Sequence, residues 1–201
     1  MARNFNPEIV EAVRNFLDED GWRYSLDSEN GMFRFGVNLR GKLKNVQYYV
    51  GINAHDYNAY AVSPISADQD DPEQMAKLAE FVCRANYGLK DGNFELDCDD
   101  GELRYKCYVN CSGMIPTKEM IGASIRCPAA MFERYGKGIM QILFGDMSPA
   151  DAIRLCEGTL PTPERPSSGG EDKSSRLVDM LRRLQSERES AEGDGAPASD
   201  E

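Results

Sequence analysis

Apolar residues recur at helical spacing in the first segment of the chain, and the spacing then changes to that of β-strands. A helix is predicted over residues 7–18, where apolar side chains lie three and four positions apart: Ile9, Val10, Val13, Phe16 and Leu17. Apolar and polar residues then alternate in three runs, at 22–26, 33–39 and 46–52. This period of two predicts antiparallel strands with one buried face.

A second group of elements follows the first. Residues 59–62 are predicted to form a further short strand, and Pro64 places it at an edge or an end of the sheet because proline lacks a ladder donor. A helix begins at Pro72, and a second hairpin has its strands at 94–96 and 103–109. The chain therefore predicts helices that alternate with antiparallel strands.

The two hairpins resemble each other in sequence. Residues 23–35 align without gaps on residues 93–105, and both contain an aromatic-x-Leu-Asp segment, a glycine turn and an Arg-aromatic pair. Two interpretations remain open, an internal duplication and the ordinary pattern of a hairpin with a glycine turn. Under either one, a unit of one helix and one hairpin occurs twice.

The longest helical pattern begins at Thr117 and ends near Phe144. Pro128 is predicted to interrupt this helix or to restart it at a kink. The part after Pro128 is the most apolar helix of the chain, and we expect it to pack across the sheet. It supplies four candidate partner-binding residues: Met131, Phe132, Tyr135 and Ile139. A last helix is predicted from Ser148 to Cys156.

Residues 159–201 are rich in Pro, Ser, Gly and Glu, which predicts a disordered acidic tail after a domain at 1–158. Within this tail, residues 174–189 have the pattern of a short amphipathic helix. Its apolar face supplies three more candidate partner-binding residues: Leu177, Leu181 and Leu184. The alternatives are a transient helix and one that lies loosely on the domain.

The net charge of −11 argues against nucleic acid as a partner, because such binding depends on Lys and Arg. No apolar run is long enough to predict a membrane span, and the N-terminal segment has no apolar signal core. We therefore expect a cytoplasmic protein that does not bind a membrane.

Residues with catalytic or metal-binding chemistry are sparse. The only histidine, His55, falls in a predicted turn, and the acidic turn at 97–102 lacks the glycine and glutamate positions of a calcium loop. The six cysteines include no Cys-x-x-Cys pair, so we expect reduced and mostly buried thiols. These patterns predict a protein that is not an enzyme and has no cofactor and no metal site.

The order of elements resembles that of YbjN-domain proteins and the related type III secretion chaperone-like fold. The resemblance covers residues 6–144, and its most telling stretch is 86–97 followed by 100–105. It implies an α+β fold, with the order α-β-β-β-α-β-β-α and a twisted antiparallel sheet of about five strands on which the helices pack. It also implies apolar grooves for partner polypeptides, frequent dimers and no catalytic residues.

Three functions compete at this stage. The first is a chaperone-like or regulatory module that binds a protein or peptide segment, through the apolar helix or an exposed strand edge at 59–62. The second is a small-molecule or nucleotide sensor with a pocket between sheet and helix, lined by Tyr48, Tyr105 or Tyr135. The third is a homodimer that assembles through the sheet or the long helix.

Overall fold

The first helix, α1, forms where its sequence predicts it. The structure is a computed structural model, and it describes residues 5–158. Helix α1 spans Pro7–Glu19, and the Asn6 side chain caps it by accepting the backbone N–H of Glu8 at 2.9 Å. The apolar face of α1 is buried in the core, and the helix contacts the third helix of the chain.

Six strands form one sheet, and every pair of adjacent strands is antiparallel and hydrogen-bonded. The spatial order of the strands is β1-β2-β3-β4-β6-β5. Their bounds are β1 Ser25–Asp27, β2 Met32–Asn38, β3 Asn45–Ile52, β4 Asp56–Val62, β5 Asn93–Leu96 and β6 Leu103–Asn110. The remaining helices are α2 Pro72–Asn86, α3 Lys118–Phe144 and α4 Pro149–Glu157. The α+β fold class is confirmed.

Strand β4 corrects one prediction, because it lies in the centre of the sheet. It pairs with β3 on one side and with β6 on the other over most of its length. Pro64 lies beyond the end of β4, so it removes no ladder bond. Ala59 and Ala61 point into the core, where their small side chains let α3 contact β4 closely. No exposed strand edge exists at 59–62.

The two hairpins that look alike in sequence form opposite edges of the sheet. Asp27 and Asp97 occupy equivalent positions, and each accepts the backbone N–H of the residue two places further on. Gly31 and Gly101 both have positive φ, 64° and 76°, which glycine adopts without strain. The helix-hairpin unit therefore occurs twice in the structure, while its origin by duplication stays a hypothesis.

Helix α3 is continuous through Pro128, contrary to the expected interruption. Proline has no backbone N–H, and its ring disturbs the preceding turn. The hydroxyl of Tyr48 enters this turn: it donates to the Ile125 carbonyl at 2.7 Å and accepts the Ala129 N–H at 2.9 Å. These two groups are the i and i+4 partners of an ordinary helical bond. A side chain from the sheet thus bridges the disturbed turn.

The helices and one face of the sheet share a single core. Helix α3 contacts β4 and β6, and α4 contacts both α2 and α3. Gly138 permits this close packing, because a Cβ there would lie 2.6 Å from the Phe81 ring and 2.7 Å from the Cys156 sulfur. Within residues 5–158, no helix is both long and apolar enough to cross a membrane.

Candidate functional site

The predicted partner-binding residues of α3 lie mostly inside the core. Phe132 and Tyr135 are each 1 % exposed, and Ile139 is fully buried. Phe132 packs edge-to-face on Phe94 with ring centroids 5.4 Å apart. Only Met131 is half-buried. The apolar face of α3 therefore covers the sheet and leaves little surface for a partner.

Three further candidates, Leu177, Leu181 and Leu184, lie outside the described residues, as does the predicted tail at 159–201.

The face of the sheet that points away from the helices is uncovered within residues 5–158. Along β2, β3, β4 and β6, buried residues alternate with exposed or half-buried ones. We name this surface the open face. Its principal side chains are Met32, Arg34, Tyr49, Asn58, Tyr60, Glu95, Arg104, Lys106 and Tyr108.

Aromatic and cationic side chains form a row across the open face. The strand register places Arg34 opposite Tyr49, Tyr49 opposite Tyr60, and Tyr60 opposite Lys106. The guanidinium carbon of Arg104 lies 4.7 Å from the Tyr60 ring centroid, which is within the range of a cation–π contact. The row joins apolar area with positive charge in a chain whose net charge is −11.

Glu95 is an acidic side chain next to this row, and Glu102 is a second one, 3.7 Å from Arg104. The Glu95 carboxylate accepts hydrogen bonds from Arg104 at 2.8 Å and from Lys106 at 3.3 Å. Burial raises the pKa of Glu95, but the hydrogen bonds from the two cations outweigh that effect and leave the pKa lowered. Glu95 is therefore ionised at neutral pH, and it orders the two cations while it neutralises part of their charge.

Asn58 is an unsatisfied polar group on the open face. Its Oδ1 atom is buried and has no hydrogen-bond partner among residues 5–158. Asn58 lies opposite Gly51 on β3 and Tyr108 on β6, and Tyr108 is 56 % exposed. An unpaired buried acceptor costs about 1–3 kcal/mol. Because this oxygen is inaccessible from the surface, it is not itself a contact point for a partner.

The two edges of the sheet present fewer free groups to a binding partner than the open face does. At the β5 edge, the Asn86 amide donates to the Phe94 carbonyl at 2.9 Å and accepts the Phe94 N–H at 2.8 Å. This side chain occupies the backbone groups that an added strand would use. The opposite edge strand, β1, has three residues. Both edges are thus poor templates for a partner strand.

A cavity of about 330 Å³ lies between β6 and α3. We name it the β6–α3 cavity, and it is lined mainly by Lys90, Asp91, Gly92, Cys107, Tyr108, Met120, Ala123 and Cys127. The tyrosines predicted to line such a pocket lie elsewhere: Tyr48 and Tyr135 are inside the core. Tyr105 is also buried, and its hydroxyl donates to the Asp91 carbonyl at 2.5 Å.

Two cysteines meet beside this cavity. Interaction with the Cys107 side chain lowers the pKa of Cys127 to about 7 against the opposing effect of burial. The same interaction, together with burial, raises the pKa of Cys107. The Cys127 thiol also donates a hydrogen bond to the Asp91 carbonyl at 3.4 Å. Cys127 therefore has the lower pKa of the two thiols and is the more nucleophilic one near neutral pH.

A comparison with protein-family models identifies the family of this chain. The YbjN family model, described as "Putative bacterial sensory transduction regulator", matches residues 10–139. The chain belongs to the YbjN family. No curated protein matches the chain.

The YbjN match includes all six strands and most of α3, so the open face and the β6–α3 cavity both lie within it. Helix α4 follows the matched region. It packs on α2 and α3, on the side of the molecule that carries the helices. The addition of α4 therefore leaves the open face of this YbjN domain uncovered within residues 5–158.

Sequence reasoning missed Asn58 and the pairing of Cys107 with Cys127. The alternation along β4 was available as a signal for Asn58, because it places that residue on the polar side of a strand. No local signal exists for the cysteine pair, since one member lies on a strand and the other on a helix. The expectation of mostly buried thiols was wrong for Cys83 and Cys98, which are exposed.

Proposed function

We propose that this YbjN protein is a cytoplasmic, non-catalytic regulatory module that binds an extended acidic segment of a partner protein on its open face. The observation that carries the proposal is the row of tyrosines and cations across this face. The description of the family as a sensory transduction regulator is consistent with such a role.

The chemistry of the row favours a polypeptide with acidic and apolar side chains. Rings such as Tyr49 and Tyr60 provide flat apolar area, while Arg34 and Lys106 provide charges for carboxylates. The same positive charge disfavours a basic segment, so the open face discriminates between partners by the sign of their charge as well as by their shape.

The test is affinity capture from native lysate with the full-length chain, read by quantitative mass spectrometry. Arg34→Glu reverses a charge on the open face, and Tyr108→Ser removes an exposed ring there. Lys137→Glu is the matched control, because it makes the same charge change on the exposed side of α3. We expect each open-face variant to reduce capture of a specific acidic partner about tenfold, and the control to leave it unchanged.

The outcomes separate this proposal from its alternatives. Capture that survives both open-face variants overturns it. A truncated chain that ends at Gly158 locates binding further, because a partner lost on that truncation would bind residues 159–201. If the chain recovers only copies of itself and its mass rises with concentration, the open face is a dimer interface instead.

A second candidate function rests on the β6–α3 cavity. Its volume of about 330 Å³ is within the range of small-ligand sites. A sensor role predicts that one metabolite in a panel raises the melting temperature of the protein. Ala123→Phe would fill the cavity and abolish that shift, whereas Ala130→Phe, exposed on the same helix and absent from the cavity lining, would not.

A further inference from the structure

Cys107 and Cys127 come from different elements and meet at one place. Cys107 lies on β6 and is 4 % exposed, whereas Cys127 lies on α3 and is half-buried. Both side chains line the β6–α3 cavity, and each is the largest single influence on the pKa of the other. A small molecule that enters the cavity therefore reaches the Cys127 sulfur with the Cys107 sulfur next to it.

The other four cysteines have different surroundings. Cys83 and Cys98 are exposed on the surface. The Cys111 thiol donates to the Val109 carbonyl, and the Cys156 thiol donates to the Tyr135 carbonyl. All six cysteines of the chain lie within residues 5–158, and Cys107 and Cys127 are the only two that line the β6–α3 cavity.

The loop before β5 closes one side of the pair. Gly92 has a φ of 78°, and a Cβ there would lie 2.9 Å from the Cys107 sulfur and 2.4 Å from the Lys106 carbonyl oxygen. Only glycine fits this close approach. Cys107 is therefore shielded by backbone, and the cavity gives access from the side of Cys127.

We propose that Cys107 and Cys127 form a redox modification site, at which a hydroperoxide oxidises Cys127 and Cys107 then closes a disulfide bond. In the first step the Cys127 thiolate attacks one peroxide oxygen and the O–O bond breaks. The products are the Cys127 sulfenic acid and, after protonation, an alcohol or water. The Cys107 sulfur then attacks the Cys127 sulfur, the S–O bond breaks and water leaves with the Cys107 proton. Two thiols lose two electrons and two protons, and the hydroperoxide takes up both.

The lowered pKa of Cys127, about 7, agrees with its role as the attacking thiol, because the thiolate is the nucleophile. The raised pKa of Cys107 agrees with the role of a thiol that reacts second. Cys107 lies on β6 between Lys106 and Tyr108 of the open face. A disulfide to α3 would thus act on the strand that carries part of the proposed partner surface.

This inference goes beyond the proposed partner binding and does not depend on it, because its test reads covalent mass alone. The reduced full-length protein is treated with a small excess of hydrogen peroxide, quenched with iodoacetamide and digested with trypsin without reduction. We expect the loss of two of the six free thiols. A peptide of residues 107–118 linked to one of residues 127–134 should appear, two hydrogens lighter than their sum, and dithiothreitol should remove it. Fragmentation assigns the bond to Cys107 rather than Cys111, which is in the same peptide.

Variants assign the order of the two steps. Cys127→Ser should leave Cys107 reduced, and Cys107→Ser should leave a Cys127 sulfenic acid that dimedone labels. Cys111→Ser is the matched control on the same peptide, and it should leave the linked peptide unchanged. A disulfide between other cysteines, oxidation of Cys127 to sulfinic acid with Cys107 still reduced, or retention of both thiols in the wild-type chain would overturn the proposal. The wild-type measurement decides the matter even if a variant fails to fold.

Discussion

Tyr48 and Tyr49 are neighbours on β3 but lie on opposite faces of the sheet. Tyr48 is fully buried, and its hydroxyl makes two hydrogen bonds to the backbone of α3. Tyr49 is half-buried on the open face, between Arg34 and Tyr60. The same type of side chain, tyrosine, thus anchors the helices on one face of the sheet and provides contact area on the other.

The difference recurs on the neighbouring strands. Tyr57 on β4 bonds to the Ser124 hydroxyl at 2.8 Å, and burial raises the pKa of Tyr57 to about 12. Tyr60, three residues further along β4, lies on the open face under the Arg104 guanidinium. Inward tyrosines hold polar groups that have no access to water, so their loss should affect stability. Outward tyrosines face solvent, so their loss should affect binding.

The largest expected effect concerns the helical side of the sheet. Phe132→Ala should lower the free energy of unfolding by about 3–5 kcal/mol, because it leaves a cavity against Phe94. Denaturation by urea measures it. Met131→Ala, at the half-buried neighbouring position, should cost clearly less. If Phe132→Ala left stability intact and removed partner binding, the assignment of α3 to the core would be wrong.

The second prediction compares the two adjacent tyrosines directly. Tyr48→Phe leaves the Ile125 carbonyl and the Ala129 N–H without their partner beside Pro128, and it should cost about 2–3 kcal/mol. Tyr49→Phe should change stability by less than about 0.5 kcal/mol. Thermal or urea unfolding of both variants provides the measurement. Equal effects would remove the contrast between the two faces.

The third prediction concerns the pH dependence of thiol reactivity beside the β6–α3 cavity. Since the pKa of Cys127 is about 7, its alkylation by iodoacetamide should accelerate about tenfold between roughly pH 6 and 8. Cys107, Tyr105 and the exposed Asp91 are the titratable groups that face it. Cys111, whose pKa is raised by burial, is the internal control and should stay slow in this range. Mass spectrometry of the labelled peptides follows both, and equal rates at the two sites would contradict the prediction.

The smallest expected effect lies on the open face. Glu95→Gln should cost less than about 1 kcal/mol at neutral pH, because its ion pairs with Arg104 and Lys106 are partly exposed. The pKa of Glu95 is lowered in the folded chain, so its stabilisation is present above the ordinary value of 4.5 and disappears as the pH falls. The difference between wild type and variant should therefore vanish in acid.

The same variant sharpens the comparison of the two faces. Glu95→Gln removes the carboxylate that Arg104 and Lys106 share and leaves Arg104 only Glu102, at 3.7 Å, so an acidic segment should bind the open face more tightly. Capture of the partner by wild type and variant at equal concentrations measures the change. Weaker capture by the variant would indicate that the partner is not acidic.

The sequence predicted the helices, both hairpins and the fold class, because each depends on local periodicity and on turn residues such as Gly31 and Gly101. It failed at β4, where Ala59 and Ala61 gave a weak strand signal and Pro64 suggested an edge. For Phe132 it predicted both packing across the sheet and contact with a partner, and the 1 % exposure of this side chain agrees with the packing, since an apolar helix face does not reveal which of the two covers it.

The sequence by itself determined which residues form elements and which side of each strand is apolar, because both follow from contacts between near neighbours in the chain. Only the tertiary structure decided that β4 is central, that Tyr48 bridges the turn at Pro128 and that Cys107 meets Cys127. Each of these depends on strand order and on where α3 crosses the sheet. Such contacts join residues far apart in sequence, and no local period encodes them.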